Sequence, residues 1–283
     1  MDLGILFGLL AALGWALSDI VGSRVTRRLG PATTLLFSAA SGVFFYFVAF
    51  AFFPPALPSA GVLQLILVSL AFFTAANVAY FLALSKGDVS VVSPITASFA
   101  VPVVAISVLF FHESLSALQF LLIGVVIAGT ILISFKWSEL SKRLSSNKPV
   151  AGAKMALASA LAYGVAYSLL KPISVSVGPA GAYFFLLLGG IPAYYLFWRS
   201  RRRQEPKASS LLPALLMSLL FSVANLSYAY GLRLSLASLV TAVSACHPFV
   251  VAVLARSLYR ERLEANQYIG IFLVVAGVIG LSL

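Results

Sequence analysis

Long apolar runs of about 20 residues, broken by short polar punctuation, set the pattern of this chain from end to end. In hydrocarbon an unpaired backbone group is too costly to leave exposed, so each run predicts a helix. We read ten: roughly 3–23, 32–53, 61–84, 90–111 and 116–135, then 150–171, 179–198, 210–232, 238–259 and 265–283. The breaks carry turn chemistry, as at Gly30-Pro31, Pro54-Pro55, Lys86-Gly87-Asp88, Gly178-Pro179 and the Arg/Pro-rich stretch 199–207. A β-barrel is excluded, because the runs are too long and lack alternation.

The pattern also repeats. The most water-loving segment, Lys136 to Lys148, divides the chain, and the second half overlays the first at an offset of about 148 residues. Asn77 and Tyr80 fall on Asn225 and Tyr228, Gly30-Pro31 falls on Gly178-Pro179, and Glu113 with Gln119 falls on Glu261 with Gln267. Shared apolar composition would not match Asn, Glu and Gln at one constant spacing. The expected organisation is therefore a first five-helix unit (1–135), a linker (136–148) and a second unit (149–283). Five spans is an odd number, so the copies are expected to enter the bilayer in opposite senses. The fold class expected is an all-α integral membrane protein with ten transmembrane helices in two inverted repeats.

Composition agrees with the pattern. The chain is 61% hydrophobic and only 10% charged, too apolar for a water-soluble core. The net charge of +11 does not imply nucleic acid, because the basic residues cluster between apolar runs. Of the 19 lysines and arginines, only Lys171 and Arg233 fall in even-numbered loops. That bias predicts odd loops in the cytoplasm of a plasma-membrane protein, facing anionic headgroups, with both termini outside. The N-terminus carries no basic region of a cleavable signal, and the last run reaches Leu283, so neither a cleaved signal nor a soluble domain is expected. Two histidines and one cysteine give no metal-ligand spacing, so neither metal, cofactor nor catalytic set is expected.

Polar residues inside the runs are the candidate site. Asp19 is the only acid well inside a predicted helix; it would hold a substrate amine or a coupling proton, or else pair with Arg24 or Lys171. Asn77 and Asn225 occupy equivalent third helices, either lining a cavity or joining helices, with Tyr80 and Tyr228 one turn on. Trp15, Tyr163 and Tyr167 would supply aromatic walls or ordinary helix packing. His247, before Pro248, titrates near neutrality and would serve a proton relay or a structural hydrogen bond. Thr96 belongs to the Ser93–Ser98 group able to satisfy backbone groups freed by Pro94 and Pro102. Glu113 and Glu261 would each act at the start of the following helix.

Several motifs recur at matched places: Tyr163-Gly164 with Lys171 and Trp15-Ala16 with Arg24 in the first helices; Ser93-Pro94 to Glu113 and Thr241 to Glu261 through the fourth; and Ala128-Gly129 and Ala276-Gly277 in the fifth. In this order the chain resembles tandem EamA-type domains of the drug/metabolite transporter superfamily. It departs at Asp19, where that family more often has an apolar or aromatic residue, and in the outward termini. The resemblance implies a secondary transporter, an exporter of small organic metabolites such as amino-acid-like or amphipathic compounds, working by alternating access with protons as an optional partner. A monomer would suffice. An intramembrane lipid-modifying enzyme and a non-transporting lipid-binding scaffold are the rival classes.

Overall fold

A computed structural model describes residues 2–133, 137–138, 151–201, 208–259 and 264–282. The predicted linker therefore lies almost wholly outside the described residues, as does Glu261. The first repeat contributes α1 (Leu3–Leu29), α2 (Pro31–Ala49), α3 (Ala60–Lys86), α4 (Val89–Ala97), α5 (Ala100–Leu109) and α6 (Ala117–Ile133). The second contributes α7 (Ala153–Ser168), α8 (Leu170–Val177), α9 (Pro179–Ser200), α10 (Leu211–Leu234), α11 (Ala237–Ser244), α12 (His247–Tyr259) and α13 (Ala265–Ser282).

Eight spans among the described residues are long and apolar enough to cross a membrane, counting α4–α5 and α11–α12 each as one. A ninth is α7–α8, bent by 43° at its break. With 17 described residues, α6 is the shorter apolar helix. Large apolar side chains such as Phe44, Phe47, Leu121, Leu196 and Phe272 stay exposed on the outer faces, the expected surface for lipid. The chain is a multi-pass membrane protein.

The structure differs from the sequence expectation at helix ends. α1 runs on to Leu29, so Arg24, Arg27 and Arg28 sit in its last turns instead of a loop. Their long stems allow a helix to continue while the charge reaches the interface. Asp19 consequently lies about ten residues, or about 15 Å, from the helix end rather than about one turn. Conversely, the sixth span is not one straight helix. Pro172 removes a backbone donor and crowds the carbonyl of the preceding turn, where the break occurs at Leu169. Its repeat equivalent is Arg24, and α1 remains continuous there.

Packing is exchanged between the repeats. α1 lies against α10 as α3 lies against α7; α2 meets α10 as α9 meets α3; α1 touches α11 as α7 touches α4. The self-matched pairs α2–α9 and α6–α13 complete the set. Glycine makes the α6–α13 seam tight: a Cβ on Gly129 would come within 2.8 Å of the Gly270 carbonyl oxygen, and one on Gly270 within 2.6 Å of that of Gly129. In a bilayer this close approach supplies the dispersion contacts that replace a hydrophobic drive.

Candidate functional site

The fourth span of each repeat is interrupted at the same place. α4 gives way to α5 through Ser98 and Phe99, and α11 to α12 through Ala245 and Cys246. Prolines 94, 102 and 248 flank these breaks. Ser98 and Ser244 turn their hydroxyls onto the carbonyls of Ile95 (2.6 Å) and Thr241 (3.1 Å), which also accept the Ser98 and Ala245 amides. Ser93 and Thr96, expected to do the same, do otherwise.

Against the breaks pack the first helices, α1 and α7, and between them lies a small hollow. Trp15, Asp19, Tyr80 and Thr96 line it from the first repeat, and Tyr163, Tyr167 and His247 from the second. Seven of the ten expected site residues thus meet around one space. Phe99 and Phe221 complete the lining and were not anticipated. The repeat offset could have found both, since Phe99 stands at the position of His247 and Phe221 at that of Phe73.

Two hydrogen bonds, related by the repeat, hold the walls. The Trp15 indole Nε1 donates to Asn225 Oδ1 (2.8 Å), and the Tyr163 hydroxyl donates to Asn77 Oδ1 (3.0 Å). Each joins the first helix of one repeat to the third helix of the other. Asn77 also donates to the Phe73 carbonyl oxygen, at 2.8 Å. The two amides therefore stand behind the hollow, fixing the rings that face it. Trp15 and Tyr167 lie nearly parallel with centroids 6.0 Å apart, and Tyr163 stacks on Tyr167 at 5.0 Å. Tyr228 closes the set from behind, 5.3 Å from both Trp15 and Tyr167, its hydroxyl 2.7 Å from Thr241 Oγ1.

Asp19 has neither of the basic partners proposed for it from sequence among its hydrogen bonds and ion pairs. Its carboxylate accepts hydrogen bonds from the Tyr80 hydroxyl and from Ser93 Oγ (2.6 Å), and His247 Nε2 stands 3.7 Å from Oδ2. The other His247 nitrogen, Nδ1, faces the Ser244 carbonyl oxygen at 3.4 Å. Asp19 and His247 are each 5% exposed, so water contributes little to holding their charge. Thr96 Oγ1, buried at the edge of the hollow, has no hydrogen-bond partner among the described residues.

Beyond Tyr80 and Phe221, toward the Arg27 end of α1, lies a second, smaller hollow edged by Ser18, Gly22, Ser38 and Met217. Tyr80 and Phe221 line both spaces and form the partition.

Lys171 belongs elsewhere, to a junction at the opposite rim. Glu113 Oε1 accepts from Lys171 Nζ (2.9 Å) and from the Ala237 amide (2.7 Å), while Oε2 accepts from the Ser238 amide (3.0 Å) and hydroxyl (2.6 Å). Glu113 thus caps the first turn of α11 in the other repeat, and not the following helix as the sequence suggested. Burial pushes its carboxyl up, but the bonds from Ser238, Lys171 and the two amides outweigh that and hold it below the usual glutamate value.

No curated protein is similar to the chain at the level of sequence. A solved structure described only as a crystal structure of a protein overlays it with a TM-score of 0.71 at 16% identity, covering 98% of this chain and 95% of that one. That likeness concerns the fold alone. The EamA-like transporter family model matches twice in tandem, over residues 2–135 and again over 150–283. With nearly the whole length matched and both copies contributing walls to one internal hollow, the chain belongs to the EamA-like transporter family.

Proposed function

We propose that this protein is a ten-span permease that exports small organic metabolites across the plasma membrane by alternating access. The observation that carries the reading is the hollow itself. It lies between the repeats, at the breaks of their fourth spans, and mixes aromatic faces with one buried carboxylate. Lipid alone would not tolerate that carboxylate, so it belongs to a path for solute or ion. Membership of a transporter family argues against an enzyme at the level of the family.

Ten spans follow when α6 is counted as the partner of α13 and α7–α8 as one crossing. Inversion is supported by where equivalent helices begin. α4 starts beside Arg27, which bonds Asp88 and the Gly87 carbonyl, both at 3.0 Å, near the end of α1. Its counterpart α11 starts beside Ser235, which bonds Asp2 at the beginning of α1. Equivalent helices thus begin at opposite rims. The lysine and arginine bias assigns the Arg27 rim to the cytoplasm and the Glu113 rim to the outside, with both termini outside. In this state the Glu113 junction closes the outer rim, and the Tyr80–Phe221 partition separates the hollow from the inner one.

Counterflow in proteoliposomes tests the reading. Vesicles loaded with a candidate solute should accumulate its labelled form faster than vesicles lacking protein. Formation of a modified lipid without flux would instead indicate an enzyme, and neither flux nor product would leave a scaffold.

A further inference from the structure

The chemistry of the hollow is one-sided, and, granted the transport reading above, that one-sidedness specifies a ligand class. Its walls are aromatic faces: Trp15, Tyr163 and Tyr167 form a near-parallel stack, and Phe99 meets Trp15 edge-on at 5.9 Å. A ring face attracts a cation through its quadrupole, most strongly at tryptophan. Among the described residues Asp19 is the single carboxylate, and neither lysine nor arginine lines the space. Thr96 Oγ1 offers a buried hydroxyl with no partner among the described residues. A bound anion would meet Asp19 with no guanidinium or ammonium to receive it. A neutral solute would leave that carboxylate without a new counter-charge. An ammonium group supplies the charge and up to three donors together.

We infer that the hollow binds an amphipathic organic ammonium ion, its head directed at Asp19 and Thr96 and its apolar body laid on the Trp15 and Tyr167 rings. The repeat-equivalent positions fix this orientation. Where the first repeat has Asp19, the second has Tyr167; where the second has His247, the first has Phe99. The head therefore has one place to go.

The groups that face Asp19 come from three helices: Tyr80 of α3, Ser93 of α4 and His247 of α12, with Tyr163 and Tyr167 of α7 nearby.

The test uses the full chain and three probes of matched shape: phenethylammonium, 3-phenylpropionate and 3-phenylpropanol. Equilibrium dialysis of the purified protein in nanodiscs should show saturable binding of the ammonium that neither of the other two displaces. Asp19→Asn should weaken it by at least about tenfold and Thr96→Val by about threefold. Displacement by the carboxylate or the alcohol as effective as by the amine itself would overturn the inference, as would full affinity in Asp19→Asn. The probe series is run on the unaltered protein, so a poorly folded variant does not blunt it. Flux in proteoliposomes separates the two readings. An ammonium that binds but is not carried sinks the transport reading and leaves this one standing. A carboxylate or alcohol that binds and is carried does the reverse, and failure of all three probes to bind overturns the ligand class whatever the flux.

Discussion

Around the hollow, two regions related by the repeat can be set side by side. In one, Tyr80 and Ser93 converge on the Asp19 carboxylate, with His247 beside it. In the other, Asp19 is replaced by Tyr167, and the hydroxyls of Tyr228 and Thr241, the counterparts of Tyr80 and Ser93, bond each other at 2.7 Å. The backbone frame is shared; the charge is not. The repeat provides two equivalent sets of wall positions, and differences at a few of them leave one end charged and the other uncharged. Changes to the frame should cost both halves alike, whereas changes to the charged end should matter on one side only.

The largest effect tests that division directly. Asp19→Asn is expected to lower solute flux by about 100-fold, equivalent to about 2.7 kcal/mol, while Tyr167→Phe should cost less than about threefold. Initial rates in proteoliposomes at matched protein content decide it; equal losses would erase the distinction between the ends.

The frame predicts symmetry instead. Tyr163→Phe leaves Asn77 Oδ1 without its donor, and Trp15→Phe does the same to Asn225 Oδ1. Each should destabilise by about 1–3 kcal/mol, with the tryptophan change the larger because ring volume is also lost. Thermal denaturation in detergent is the measurement, and a marked effect confined to one half would break the pairing. At the seam, Gly129→Ala and its equivalent Gly277→Ala should each cost about 1–2 kcal/mol, since the added carbon would fall 2.8 Å from the Gly270 oxygen or 2.6 Å from Val126 Cγ2. Gly124, with nothing within 4 Å of such a carbon, should accept alanine with a gain below about 1 kcal/mol.

The smallest loss of stability sits at the Glu113 junction. Glu113→Ala removes a helix cap and should cost about 0.5–2 kcal/mol. The Glu113 carboxyl is held below its ordinary value, so its contribution is fully present above about pH 4.3 and disappears only as the solution becomes acidic enough to titrate the folded form. Stability followed from pH 7 down to pH 3 should show that acid-side loss in the natural protein and not in Glu113→Ala.

Much of this was legible in the residues. Asn77 and Asn225 stood out because an amide in hydrocarbon needs a partner, and Asp19 because a carboxylate there needs a reason. Pattern could not say which partner each would find. The amides turned to rings across the repeat boundary, and Asp19 turned to hydroxyls and an imidazole instead of to Lys171. Long-range pairings of this kind depend on which helix faces meet, which hydropathy does not encode. Helix ends differ from the sequence expectation for a related reason, because arginine marks the interface without ending the helix. The bend at Leu169, by contrast, is readable from Pro172.

The rim at Glu113 has one more implication. Parting the two copies there uncovers a carboxylate, an ammonium and two backbone amides that now satisfy one another, and each must be wetted before the rim can open. Opening thus takes up solvent as a reactant. Sucrose or another osmolyte excluded from the protein surface should slow passage through that rim, making turnover answer to water activity as well as to solute concentration.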